Sequence, residues 1–325
     1  MGVWIGTDEA GFGPNLGPLV IGLTRWEGPV DDLREALAEV ASEAAVPAKL
    51  RLTDSKAIHK PAAVRGGDGN ASDALAASEL AIAARGLLAA AGINATTLRD
   101  LVVALDPEHA DALAGVPWLV EAAPVPCPDD PRIGRFAAGV RAAGLTLQVR
   151  ADVIPAAAYN ALLDRVGSKG QLLSRRTLRL LRSVWTPGDA ATIVCDKHGG
   201  RDKYTPLLQE FAFDIAAADA PSDSLFGPAI ETLEEGRLRS RYRIAGDGTA
   251  TAITFEQKAE SHLPVACASI VAKWLRERAM DAFNAYWTAR QPGLRPTRGY
   301  PNDAARWRDD LATLDCDENT LWRRK

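Results

Sequence analysis

Six short β-prone runs alternate with nine stretches of helical periodicity, and this interleaving restricts the chain to an α/β or α+β fold. The β-prone runs fall at 3–8, 17–24, 145–153, 191–196, 237–244 and 249–257. Helical patterns fall near 31–45, 72–91, 97–104, 131–143, 156–165, 171–184, 203–218, 265–289 and 302–313. Between 237–244 and 249–257 stands Ala245-Gly246-Asp247-Gly248, whose Asp-Gly step predicts a tight hairpin. Residues 64–72, "VRGGDGNAS", read as an exposed loop. The Ala-, Pro- and Leu-rich stretch from about 85 to 145 carries little chemistry; with the loop before it, a mainly helical insertion is expected over about 60–145.

With 325 residues the chain can bury one enlarged core or two. Its 47% hydrophobic and 25% charged content is that of a soluble globular protein. No apolar run reaches membrane-spanning length, and no basic segment precedes an apolar stretch at the start, so a cytoplasmic protein without membrane association is expected. Cys127, Cys195, Cys267 and Cys316 form no C-x-x-C pair, which argues for reduced thiols over a zinc ribbon or a disulfide framework. A net charge of −4 excludes coating of nucleic acid by bulk charge, while leaving local basic patches open.

The chemistry concentrates where apolar runs end. "GTDEAGFGPNLGPLVIG" places Asp8 and Glu9 between two strands, beside a Gly- and Pro-rich turn. Adjacent strand residues point to opposite faces, so both serve one site only if the strand ends or bends there. "ATIVCD" ends at Asp196, with Gly199 and Gly200 close behind. "ITFEQKAES" leads to Glu260 before Pro264 and a long helix, and "LRLTDSK" places Asp54, Ser55 and Lys56 after another β-prone run. Each acid alone suits a cap, a turn or a solvated loop. Acids from distant strand ends are also what a hard divalent cation requires.

Two basic patches have two readings each. Arg237, Arg239, Arg241 and Arg243 alternate along one strand face, either to track phosphates or to discourage edge pairing. Lys169, Arg175, Arg176, Arg179 and Arg182 share a helix, where charge is commonly just solvated. Trp274 and Trp287 read as core residues. His198 and His262 stand near the acids either as proton carriers or as ordinary histidines.

Taken together, these segments resemble type 2 ribonuclease H (ribonuclease HII). "TDEAGFGPNLGPLV" is similar to that family's opening D-E-A-G-R-G-P-x-x-G-P motif, "LTDSK" to its D-S-K motif, and "KAESHLPVACASIVAKWLRERAM" to the segment with its last acid and the A-S-I-x-A-K helix. "RGYPND" resembles its G-Y-P-T segment, and all occur in the family's order over well under half of the chain. The resemblance implies an α/β, ribonuclease H-like mixed sheet flanked by helices. It also implies a catalytic domain over 1–264, interrupted by the insertion, and a helical C-terminal extension over 265–325.

The implied metal-binding and catalytic residues are Asp8, Glu9, Asp196 and Glu260, holding two Mg²⁺ or Mn²⁺ ions. The implied substrate contacts are Gly11, Phe12, Gly13, Ser55, Lys56, Lys273 and Tyr300. The implied activity is endonucleolytic hydrolysis of the RNA strand of an RNA–DNA hybrid, or of a duplex containing ribonucleotides, by a monomer with no protein partner evident. The sequence departs from the family at Phe12, where the family has Arg, and at Glu260, where Asp is usual. One residue is missing between Glu260 and Ser269, and Asp54 lies unusually far from Asp196. A nuclease acting on DNA structures, or a non-cleaving nucleic-acid-binding relative, fits the same motifs. A small-molecule enzyme ranks last, because "VGSKGQ" lacks the spacing of a phosphate loop.

Overall fold

The computed structural model describes residues 1–59, 78–108, 113, 115–120, 123–185, 189–219, 229–245, 250–311 and 318–324. The expected loop at 64–72 and the turn residues 246–248 lie outside the described residues, as does Cys316.

Seven strands form one mixed sheet in the order β5-β2-β1-β6-β9-β8-β7. β1 (Gly2–Ala10), β2 (Leu19–Gly28), β5 (Thr146–Ile154), β6 (Thr192–Asp196), β8 (Arg239–Ala245) and β9 (Ala250–Glu256) match the six β-prone runs to within a few residues. β7 (Ile230–Glu235) is an edge strand that the sequence did not announce; the fragments β3 (Ala41–Ser42) and β4 (Leu50–Arg51) pair separately. The centre of the sheet is parallel, β1 to β6 to β9, and the remaining pairings are antiparallel.

Alternation along the strands divides the core between two faces. On one face, Val20, Trp26, Val149 and Ala151 pack with helices Glu79–Ala90, Pro131–Ala142 and Leu263–Arg290. On the other, Ile5, Leu19, Ile21, Ile193 and Phe255 pack with helices Ala156–Val166, Lys169–Arg182 and Thr205–Asp219. Helix Leu263–Arg290 lies directly across β1 and β2. Two glycines permit that approach: a Cβ on Gly6 would stand 2.2 Å from the Pro264 carbonyl carbon, and one on Gly22 would stand 2.4 Å from the Ala268 oxygen. Thr24 Oγ1 donates to the Pro264 carbonyl at 2.7 Å and fixes the same crossing.

One expectation is corrected. The helical pattern at 31–45 yields only the helix Leu33–Ala36, capped by Asp32. Beyond it, Val40 and Ser42 accept backbone bonds from Leu50 and Leu52, so tertiary pairing overrides helical propensity. Helix Leu263–Arg290, which begins at the expected boundary at 264/265, packs across β1 and β2, and in the described part of the insertion Leu80, Leu87, Leu101 and Phe136 join the same core.

Candidate metal centre

The parallel register of the central strands assembles the acids. β1 and β6 are paired as far as Thr7 and Cys195, so the next residues along, Asp8 and Asp196, lie side by side where that ladder stops. β1 itself continues to Ala10 against β2, and the acids therefore sit inside a strand whose other edge has become free, rather than at a chain reversal. Carboxylate oxygens of Asp8, Glu9 and Asp196 lie within 4.8 Å of one another. After β9, Lys258 adopts a left-handed conformation (φ 60°) and turns the chain into the 3₁₀ turn Ala259–Ser261, which carries Glu260. The Ala259 N–H faces Asp196 Oδ1 at 3.5 Å, tying that turn to the end of β6.

Electrostatics mark the cluster as cation-seeking. Burial, with the negative charges of Asp196 and Glu260, pushes the Asp8 carboxyl up to about 8. Glu9 is held well above the usual carboxylate range by burial and by Asp8 and Asp196, and Asp196 rises to about 6 through burial and Glu260. A hydrogen bond from Ser269 opposes part of the Asp8 shift. Ser269 Oγ in turn lies 2.9 Å from Ser55 Oγ. Lys56 Nζ is 3.4 Å from Glu260 Oε1, and its charge also acts on Glu9, Asp196 and Asp8. The donor set is all carboxylate oxygen, which is the chemistry of Mg²⁺ and Mn²⁺ sites, so these residues fit such ions.

The other candidate residues separate into two groups. Lys56 is exposed at the cluster, its side chain 81% accessible. Gly11 has φ +91° and Gly13 faces open space, as a turn that approaches a ligand requires. Phe12 borders the second core cluster and an open depression, and Tyr300 is half exposed with the Arg276 guanidinium 5.9 Å from its ring centroid. Ser55, by contrast, is buried and spends its hydroxyl on Ser269, beneath the Asp8 carboxyl. Lys273 Nζ pairs with the buried Glu277 at 2.9 Å, and Glu277 is also bound by Arg298. Both side chains are engaged with neighbouring residues of this chain.

His198 is buried, its Nδ1 3.0 Å from Ser174 Oγ, and burial holds it neutral with a pKa of about 3. Trp274 and Trp287 are both core residues. Carboxylates answer most of the two basic patches: Arg239 binds Glu234, Arg243 binds Glu231, Arg175 binds Glu210, Arg176 binds Asp152, and Arg179 binds Asp106.

Sequence reading missed the buttress of the glycine turn. Arg323 is buried and its Nη2 donates to the carbonyls of Gly11, at 2.6 Å, and Pro14. The Gly299 carbonyl accepts from Asn15 N at 2.8 Å, so the "RGYP" segment also grips the turn. Only the residues of that segment and of "CASIVAK" were visible as signals in the sequence; Arg323 lies in a stretch with none.

No protein-family model matches the chain, and no curated protein does. Solved structures do match. Ribonuclease H2 from Pyrococcus horikoshii OT3 is 14% identical over 98% of this chain and 92% of its own, with a TM-score of 0.44. RNase HII from Archaeoglobus fulgidus, solved in a PCNA:RNase HII complex, is 13% identical over 99% and 94%, with a TM-score of 0.40. Bst-RNase HIII, solved in complex with Mn²⁺, is 18% identical over 99% of this chain with a TM-score of 0.40; the chain spans 66% of its length. No helix among the described residues is long and apolar enough to cross a membrane. The chain is a mixed seven-stranded sheet flanked by helices, and over nearly its whole length it is similar to these solved ribonucleases H.

Proposed function

We propose that this chain is a metal-dependent endonuclease that hydrolyses the RNA strand of RNA–DNA hybrids. The observation that carries the reading is the convergence of Asp8, Glu9 and Asp196 oxygens within 4.8 Å; Glu260 lies outside that group but near enough for its charge to act on Asp8 and Asp196. Mg²⁺ or Mn²⁺ bound there would supply Lewis-acid activation of water and neutralise charge growing on the scissile phosphate.

The residues divide the remaining work. Asp8, which accepts a hydrogen bond from Ser269, would hold a divalent cation together with Glu9 and Asp196. Glu260, in the 3₁₀ turn beyond β9, would add a fourth carboxylate to this set. Lys56 offers an exposed ammonium to a phosphate next to the reaction centre. At Gly13 the main chain lies open to a sugar, where a 2′-hydroxyl separates RNA from DNA, while Gly11 (φ +91°) is backed by the Arg276 side chain. Tyr300 presents half its ring for packing against a neighbouring sugar. Phe12 brings no guanidinium, so a run of ribonucleotides, with several 2′-hydroxyls to read, is the preferred substrate over a single embedded one.

The test is cleavage of a labelled RNA–DNA hybrid, a DNA duplex with one ribonucleotide and an all-DNA duplex, each with Mg²⁺ and with Mn²⁺. Cutting of the hybrid by wild type and not by Asp8→Asn is expected. Cutting of the all-DNA duplex would move the reading to a DNA nuclease, and no cutting of any substrate to a binding protein.

A further inference from the structure

Immediately beyond the acid cluster lies an open depression of about 520 Å³. Phe12, three residues past Glu9, forms one wall, and the loop that begins two residues past Asp196 forms the floor and the rim. Gly199 (φ +64°) and Gly200 leave the floor without side chains; the nearest atoms to a Cβ on Gly199 would be those of the Phe12 ring at 3.9 Å. Gly170, in the first turn of helix Lys169–Arg182, lines the far side.

In the two basic patches Arg182, Arg237 and Arg241 have no carboxylate partner among the described residues, and the remaining arginines are paired. Around the depression Asp202 is the acid on the rim, and Lys197 Nζ takes it up at 2.8 Å. Arg201 and Lys203 have no carboxylate partner among the described residues, and Arg201 Nε is buried without any hydrogen-bond partner. The Arg201 guanidinium is aligned over the Tyr204 ring, 5.8 Å from its centroid. His198 contributes no positive charge, being neutral.

We infer that this depression binds an internucleotide phosphate of the substrate duplex next to the reaction centre, with Arg201 and Lys203 as its ligands and Phe12 against the attached sugar or base. The inference rests on the nuclease reading for the direction of the bound strand, but phosphate binding itself needs no cleavage. A bare glycine floor admits the phosphate closely, and an unanswered guanidinium forms the charge-assisted bonds that a phosphodiester accepts.

The experiment measures binding of a short RNA–DNA hybrid and of a DNA duplex of equal length, in Ca²⁺, over a range of salt. Arg201→Gln with Lys203→Gln is expected to weaken both complexes by about tenfold and to reduce the slope of log K against log salt by about one to two. Arg201→Lys should keep most of the slope, and Arg239→Gln with Arg243→Gln should keep affinity and slope unchanged. Hybrid cleavage by wild type, with identical binding in the Arg201/Lys203 variant, overturns the inference and leaves the nuclease reading standing. Arg201-dependent binding without cleavage of either duplex supports the inference and removes the nuclease reading. No binding by wild type overturns both.

Discussion

The Lys56 ammonium lies 3.4 Å from the Glu260 carboxylate, at the mouth of a cluster that is otherwise entirely acidic. With the Lys56 side chain 81% accessible, this pair adds little to stability. Its effect is electrostatic, since a fixed positive charge there both draws in a phosphate and competes with a cation. Lys56→Ala is expected to lower kcat/KM on a hybrid by about tenfold or more, the worth of one charged hydrogen bond. Mn²⁺ affinity, read by calorimetry, should stay equal or rise.

Asp8→Asn should separate stability from activity. In the cation-free protein the Asp8 carboxyl is raised from 3.8 to about 8, so the folded state holds that proton more tightly than the unfolded chain. Stability is therefore lost as pH rises between about 4 and about 8. An uncharged Asn removes that loss. Thermal unfolding in chelator near pH 8 should show the variant more stable than wild type by on the order of 2 kcal/mol. The same variant should lose the gain in Tm on adding Mn²⁺, and all cleavage.

Cation binding should release protons. Asp8 and Asp196 are raised to about 8 and about 6, and ligation requires both deprotonated. Mn²⁺ affinity should climb as pH rises from about 6 to about 8. Calorimetry in buffers of different ionisation enthalpy measures the protons set free; a count of zero would contradict the arrangement.

Ser269→Ala removes the hydroxyl between Asp8 and Ser55. The Asp8 carboxyl should titrate higher still, shifting the alkaline rise of activity to higher pH. The orphaned Ser55 hydroxyl should cost about 1 kcal/mol in chemical unfolding. Restoring the hydroxyl as Thr should recover most of the pH profile.

Much of this was legible before the structure. Ile5, Ile21, Ile193 and Phe255 sit in runs whose alternation fixes both strand and face; Asp196 ends β6, whereas Asp8 and Glu9 lie inside β1 and Glu260 lies in the turn after β9. β7 was not legible because "IETLEE" is largely exposed and gains its pairing from opposite charges across the ladder, Glu231 with Arg243 and Glu234 with Arg239. That same ladder accounts for Arg239 and Arg243 of the arginine stripe, which one residue row read alone assigns equally to phosphate contact. The burial of Ser55 and the pairing of Lys273 depend on a helix more than two hundred positions away in one case, and one turn away in the other. Periodicity carries neither fact.

Gly6 and Gly22 give the helix Leu263–Arg290 its closest approach to the sheet. That helix brings Ser269 to the Asp8 carboxyl, so the gap between two backbones sets how far the hydroxyl must reach. Gly22→Ala forces a methyl to within 2.4 Å of the Ala268 oxygen, which should cost about 1 to 3 kcal/mol and lift the helix. The geometry of the acids is thus calibrated from behind, by two positions that carry no side chain.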